Sequence, residues 1–292
     1  MKKLLVSGAS GFIGSNLSRL LKDKYNVIGL VRDASKIENE IGSFQIDLTK
    51  QIENLPNADY LVHLAALIRL EPPQTDEDLY KVNAIGTFNL LSAAKKSGID
   101  KIIYISTVGI YGNREFNSKE EDKPNPSNTY SSTKLIGEEI CKIFAENFNF
   151  KVIVLRFSGV YGGGRTRGVI YNSLSQAMKN EDIVIENTEN STWDPVYVKD
   201  VVKSISKSLD YLDEMDGNFM IFNIGLGHPI TIKKITDEIV SITNSKSKVS
   251  FLGRAPDEHF SMDITRARAL LEFEPMSIEE SLRDFYEELK HD

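Results

Sequence analysis

The sequence predicts an α/β protein with a doubly wound parallel sheet and a smaller C-terminal α/β lobe. Short apolar runs rich in Ile, Val and Leu recur along the first half of the chain, and stretches of helical periodicity separate them. A glycine-punctuated turn joins the first run to the first helix. Apolar runs without strict alternation are the mark of strands covered on both faces. Their alternation with helices makes the sheet parallel.

The elements follow in order. Lys3 to Ser7 is a short buried strand, followed by a glycine turn and an amphipathic helix through about Asp23. Further strands are expected at Asn26 to Val31, Tyr60 to Leu64, Lys101 to Ser106 and Lys151 to Phe157. Helices are expected over Leu79 to Ser97 and Tyr130 to Asn147, with surface loops over Pro72 to Asp78 and Asn113 to Asn128. After Phe157 the rhythm breaks at Gly162, Gly163 and Gly164 and at Arg165 to Arg167. Val198 to Leu212 and Phe219 to Ile224 read as a helix and a strand that return to the main sheet. From Pro229 two amphipathic helical stretches follow, with breaks at Pro256 and Pro275. Residues 1–157 with 198–224 are thus expected to form one domain, and 158–197 with 225–292 a second lobe.

Composition narrows the function classes. The chain has 292 residues, long enough to bury a core without cross-links, and its net charge of -7 argues against a nucleic-acid surface. The single cysteine, Cys141, cannot form an internal disulfide, falls in a helical pattern and suits a reducing cytoplasm as core filler. No run approaches the roughly 20 apolar residues of a membrane span. The N-terminal apolar stretch meets Gly8, Gly11 and Gly14 at once, unlike a targeting segment. His63, His228, His259 and His291 are scattered without ligand spacing, so no metal site is expected. His63 is expected to be packed or bonded to backbone.

Gly8, Gly11 and Gly14 form GxxGxxG directly after a strand, and Phe12 and Ile13 open the helix between them. Gly8 allows the tight turn, Gly11 lets backbone approach a pyrophosphate, and Gly14 lets helix and strand pack closely. The helix N-terminus then faces the anion. This is the dinucleotide-binding arrangement of the Rossmann fold. Arg32 stands at the end of the second strand, where an arginine suits the 2′-phosphate of NADP, and Lys36 is placed to help. Asp33 beside it keeps NAD open. Asp47, followed by Leu48, is placed either to accept from the adenine amino group or to close a turn.

Tyr130 and Lys134 form YxxxK, which on a helix puts both side chains on one face a turn apart. A free tyrosine titrates at about 10 and is a poor acid–base catalyst at neutral pH. A neighbouring ammonium stabilises the phenolate and lowers that value. Ser106 and Thr107 end the fourth strand, where ligands of such sheets bind, and either hydroxyl is placed to hold a substrate oxygen near Tyr130.

These segments together resemble the extended short-chain dehydrogenase/reductase family, of the NAD-dependent epimerase/dehydratase type, over nearly the whole chain. The resemblance rests on SGASGFIG, HLAAL, VNAIGTFNLL, YISTVGIYG, YSSTK, LRFSGVYGGG, VYVKDVV and NIGLGHPIT. GRAPDE followed by MDITRARALLEFEP resembles the C-terminal segment of the nucleotide-sugar members. It implies that Tyr130 is the acid–base catalyst, Lys134 its electrostatic partner, and Thr107 the hydroxyl nearest the substrate oxygen. Asn83 supports the site, Leu64, Ala65 and Ala66 line the cofactor, and Arg254 is a candidate for substrate phosphate. The helices around Leu79 to Ser97 and Tyr130 to Asn147 pair across a homodimer.

Departures from the family pattern bear on the reaction. Val108 and Gly109 stand where dehydratases of this family carry Asp-Glu, so 4,6-dehydration is not expected. Gly159 stands where nucleotide-sugar epimerases usually have Asn, and Trp193 where they have Arg. The leading expectation is an NAD(P)-dependent 4-epimerase or 4-ketoreductase of a nucleotide sugar. Gly159, Trp193 and Arg32 favour an alternative, an NADPH-dependent reductase of a small or sterol-like ketone. A non-enzymatic dinucleotide-binding scaffold conflicts with the intact Tyr130, Lys134 and Thr107.

Overall fold

The computed structural model describes residues 1–37, 41–68, 72–112, 117–255 and 259–291. In chain order the elements are β1 (Lys3–Ser7), α1 (Phe12–Leu21), β2 (Asn26–Val31), β3 (Gly42–Gln45), β4 (Tyr60–His63) and α2 (Asp76–Leu79). There follow α3 (Gly86–Lys96), β5 (Lys101–Thr107), α4 (Thr129–Phe148), β6 (Lys151–Phe157), β7 (Val160–Tyr161), α5 (Val169–Met178) and β8 (Ile183–Ile185). The chain continues through β9 (Thr192–Trp193), β10 (Val196–Tyr197), α6 (Val198–Glu214), β11 (Phe219–Ile224) and β12 (Ile230–Thr231). It ends with α7 (Ile232–Thr243), β13 (Val249–Phe251), α8 (Thr265–Leu271) and α9 (Ile278–His291).

Seven strands form one parallel sheet in the order β11-β6-β5-β4-β1-β2-β3. Alternate residues of each strand enter different cores. Leu4, Val6, Ile103, Ile105, Ile153 and Leu155 pack on the side of α1, α6 and α8. Leu5, Ile102, Tyr104, Val152 and Val154 pack on the side of α3 and α4. Burial on both faces explains why these strands read as continuous apolar runs. Strand order reverses beside β1, and the crevice outside the carboxyl ends of β1 and β4 is where such sheets bind ligands.

The structure corrects several sequence expectations. Gly42–Gln45 is an additional, mostly exposed edge strand. The helix expected from Leu79 begins at Asp76, inside the expected loop, because Thr75 and Asp78 form a reciprocal cap. It then widens to a π-helical stretch, Tyr80–Ile85, before α3. Three helices, not two, follow Pro229 among the described residues. Asn113–Phe116 and Pro256–Glu258, parts of an expected loop and of an expected break, lie outside the described residues.

A third core belongs to the second half of the chain. Leu174, Ile183, Ile185, Ile235, Ile239 and Phe285 join α5, β8, α7 and α9. One bridge between this region and the sheet is Asp194, which is buried. Its carboxyl accepts from the backbone N–H groups of Leu226 (2.6 Å), Gly227 (3.0 Å) and Met262 (2.8 Å). No helix among the described residues is long and apolar enough to cross a membrane.

Candidate active site

The chain turns at Gly8 with φ 74°, a conformation that favours glycine. A Cβ there would lie 2.8 Å from the Ala65 backbone nitrogen, and one on Gly14 would lie 2.1 Å from the Gly8 oxygen. The turn is therefore pressed between α1 and the loop after β4. Gly11 caps α1 in extended conformation with no side-chain cap bond and no acidic residue in the first turn. The amides at this helix start face the crevice, and their partial positive charge suits a pyrophosphate. Leu64 and Ala65, half-buried, close on the Gly8 turn from the loop after β4, and Ala66 follows them. A cradle that side chains would fill, beneath a helix start without its own anion, fits a dinucleotide.

At the end of β2, Arg32 and Asp33 are both exposed. Asp33 is engaged locally: one oxygen accepts from the Ser35 amide (3.0 Å) and hydroxyl (2.7 Å) and caps the helical turn Ala34–Lys36. Asp47 likewise accepts from the Thr49 amide (3.0 Å) and hydroxyl (2.7 Å), which hold its carboxyl below the usual range. It closes a turn, and Leu48 behind it is buried.

On the other side of the crevice, Asn128 caps α4 by accepting from Ser131 N (2.9 Å). This fixes the first turn, which carries Tyr130. Thr107 ends β5, and its hydroxyl oxygen accepts from Gly109 N (3.2 Å) to start the 3-10 turn Val108–Tyr111. That turn packs directly on the first turn of α4. The two hydroxyls that sequence left open differ in setting. Thr107 is half-buried, whereas Ser106 is buried with its Oγ lacking a hydrogen-bond partner among the described residues.

Lys134 is buried with its ammonium 4.0 Å from the centre of the Tyr104 ring. The approach of α4 to β5 that allows this depends on Gly137, where a Cβ would lie 2.0 Å from the Tyr104 oxygen. Burial pulls the Lys134 amine down to about 7. Burial pushes the Tyr130 hydroxyl up to about 12. The two groups are thus driven in opposite directions, each toward its neutral form.

A hydrogen-bonded chain joins the cofactor side to this helix. Ser7 Oγ accepts from Ala65 N (3.2 Å) and meets His63 Nδ1 (2.7 Å). His63 Nε2 meets Thr87 Oγ1 (3.0 Å), and Thr87 donates to the Asn83 carbonyl (2.6 Å). The Asn83 amide accepts from Leu67 N (2.7 Å) and donates to Leu67 O (2.8 Å) and Thr133 Oγ1 (3.0 Å). His63 is therefore packed, as one of the two expected settings had it, against the Tyr104 ring, and its ring nitrogens are bound by two hydroxyls rather than by backbone. A fully buried imidazole needs polar partners, and facing side chains of β1 and α3 reach it first. Burial holds it neutral, pulled down to about 3.

The expected substrate residues are spread over the second half of the chain. Gly159 follows β6, and its carbonyl accepts from Val196 N (3.1 Å). Trp193 lies half-buried on β9 against the third core. Arg254 is exposed, 3.9 Å from Glu186. Sequence reading gave no role to Glu138 and Arg156, a buried ion pair one turn beyond Lys134. An arginine inside the apolar run KVIVLRF was the available signal, since a buried charge demands a partner.

Comparison with known proteins agrees with this geometry. A family model described as NAD dependent epimerase/dehydratase family matches residues 4–225. A relative from Methanocaldococcus jannaschii named putative UDP-glucose 4-epimerase is 31% identical over 86% of this chain and 84% of its own. An Escherichia coli dTDP-4-dehydro-6-deoxyglucose reductase is 26% identical over 93% of this chain and 92% of its own. The crystal structure of a Bacillus cereus UDP-glucuronic acid 4-epimerase with UDP-glucuronic acid and NAD superposes with a TM-score of 0.84. It covers 99% of both chains at 27% identity. Dinucleotide cradle, Tyr–Lys helix and matched family model agree, and the chain belongs to the NAD dependent epimerase/dehydratase family.

Proposed function

We propose that this chain exchanges a hydride and a proton at C4 of a nucleotide sugar, as a 4-epimerase or a 4-ketoreductase. The observation that carries the reading is the packing of the Tyr130–Lys134 turn against the Thr107–Gly109 strand end, across the crevice from the glycine cradle. Gly8, Gly11 and Gly14, with Phe12, Ile13, Leu64, Ala65 and Ala66, hold the cofactor. A bound nicotinamide dinucleotide supplies or accepts the hydride. Tyr130 gives or takes the proton at the substrate oxygen. Left to burial alone its hydroxyl would keep that proton, so the cationic form of Lys134 makes the transfer possible. Thr107 Oγ1, already accepting from Gly109, keeps its own hydrogen for the substrate oxygen. Asn83 holds the loop at Leu67 to the Thr133 hydroxyl of α4 and positions both sides of the crevice.

The segments 158–197 and 225–292 form the substrate side, with Gly159, Trp193 and Arg254 toward the nucleotide. Residues 1–157 with 198–224 form the cofactor side. NADP is favoured over NAD. Lys36, four residues beyond Arg32, lines a cleft of about 180 Å³ together with Ser10, Ser15, Ser18, Arg19 and Lys22. The Ser18 hydroxyl there is buried without a hydrogen-bond partner among the described residues. The chain is expected to form a homodimer, since α3 exposes Phe88 beside Ile85, and α4 exposes Ile136 and Ile143.

The test is to denature the purified protein and identify any released nucleotide, then to assay UDP-sugars. Stoichiometric NAD with interconversion at C4 means an epimerase that recycles its cofactor, and overturns the NADP preference. An empty protein that binds NADPH more tightly than NADH, and loses that difference in Arg32→Ala, means net ketoreduction. Turnover by Tyr130→Phe at the native rate would overturn the catalytic assignment.

A further inference from the structure

Glu138 and Arg156 form a two-pronged ion pair in the interior, with both side chains only 3% exposed. Arg156 Nε donates to Glu138 Oε1 (3.1 Å) and Nη2 to Oε2 (2.7 Å). A buried ion pair is no stability device by default, because desolvation offsets the attraction. Its position is therefore informative. Glu138 follows Lys134 by four residues on α4, on the same face of the helix.

The groups facing Lys134 are few. From its own helix they are Tyr130, Glu138 and Cys141, from β5 Tyr104, and from β4 His63. Burial holds the Cys141 thiol and the Tyr104 hydroxyl well above their ordinary values, and His63 is neutral. Glu138, locked in its ion pair, is the negative charge of the set. It opposes the burial that would strip Lys134 of its proton.

Arg156 does more than neutralise. Its Nη1 donates to Tyr111 Oη (2.8 Å) and to the Glu120 carbonyl (3.1 Å). Tyr111 donates to Asn223 Oδ1 (2.7 Å). Asn223 in turn binds Glu120 Oε1 through its backbone N–H (2.9 Å). Its amide donates to the Ser118 (2.9 Å) and Asp263 (3.2 Å) carbonyls. One guanidinium thus links the catalytic helix, β6, the 3-10 turn after Thr107, β11 and the segment after His259.

We propose that Glu138 is a positioning residue for Lys134, supplying the buried counter-charge of the catalytic cation, and that Arg156 fixes that carboxylate to the sheet and to the loop lining the site. The inference rests on the catalytic reading of Lys134 given above. Removing the carboxylate leaves Lys134 with burial and the Arg156 charge against it. Removing the guanidinium leaves Lys134 as the nearest cation to Glu138. The two changes therefore move the amine in opposite directions.

The test is a titration of the full-length protein by NMR with 13C-labelled lysine, with the Lys134 signal assigned by its loss in Lys134→Met. In Glu138→Gln the Lys134 midpoint is expected to fall by about one pH unit or more, and in Arg156→Met to rise. Midpoints that stay at the native value in folded variants overturn the proposal, whatever the loss of activity. Glu138→Asp keeps the charge and withdraws it by one methylene. It is the second variant should Glu138→Gln fail to fold, and a smaller downward shift is expected from it; an unmoved midpoint counts against the proposal. Shifted midpoints without turnover of any UDP-sugar keep this inference and sink the proposed substrate. Turnover with unmoved midpoints does the reverse.

Discussion

Gly109 and Ser131 meet at the centre of the site: a methyl group on Gly109 would lie 2.3 Å from Ser131 Oγ. This contact sets how closely the turn after Thr107 approaches the turn that carries Tyr130. Local bonds also shape the two turns, Thr107 through Gly109 N and the start of α4 through its Asn128 cap. Gly109→Ala is expected to push the two apart by a fraction of an ångström or more. Misplacement on this scale costs up to about 100-fold in turnover. The expected result is a fall in kcat of about 10- to 100-fold with cofactor affinity unchanged, read by steady-state kinetics and cofactor titration.

Lys134 gives the site a pH signature in the protein without cofactor. Its amine is pulled down to about 7 by burial, far below the unfolded value. A cationic group depressed on folding makes the native state bind fewer protons than the unfolded state between the two values. Stability therefore rises with pH from about 7 into the alkaline range through this group. Lys134→Met is expected to remove that rise and to raise stability at neutral pH and below. Urea unfolding at pH 6, 7.5 and 9 checks the sign.

Asp194 has the opposite signature. Burial raises its carboxyl to about 6, although three backbone N–H bonds pull the other way. An acid raised on folding makes the native state bind more protons than the unfolded state between about 4 and 6. This group's contribution is then largest below pH 4 and is lost as pH rises through 6. Asp194→Asn keeps an acceptor for Leu226, Gly227 or Met262 and is expected to flatten stability over that window. Loss of more than one of these bonds would cost about 1–3 kcal/mol, seen as a lower Tm at every pH.

Much of the sheet was legible because burial on both faces leaves a plain imprint. Asn26 to Val31, Lys151 to Phe157 and Phe219 to Ile224 were bounded correctly because each is a dense apolar run. Gly42–Gln45 was not, because as an edge strand it is mostly exposed and carries no such run. The two-residue strands of the second half, Thr192–Trp193 and Ile230–Thr231, are set by tertiary pairing and leave no periodicity to read. The site shows the same division. Glycine spacing and YxxxK are local patterns and were visible. The Glu138–Arg156 pair joins a helix to a strand 18 residues away and is visible only when the fold brings them together.

Gly159 is the one glycine of the chain with neither a left-handed φ nor any atom within 4 Å of an added Cβ. Neither backbone nor packing requires glycine there, so its removal should not cost stability. A change from glycine at an unstrained position stabilises by about 0.4–1 kcal/mol, through the unfolded chain. The position lies two residues beyond β6, whose last residue, Phe157, pairs with Thr107 at the end of the neighbouring strand. The family resemblance implies an Asn at the corresponding place of nucleotide-sugar epimerases, toward the diphosphate. Gly159→Asn is therefore expected to keep Tm and cofactor affinity while lowering KM for UDP-glucose or UDP-glucuronic acid several-fold, about 1 kcal/mol of binding from one added hydrogen bond. An unchanged KM with native Tm means that the diphosphate does not pass this position, and that the nucleotide is gripped elsewhere in the second lobe.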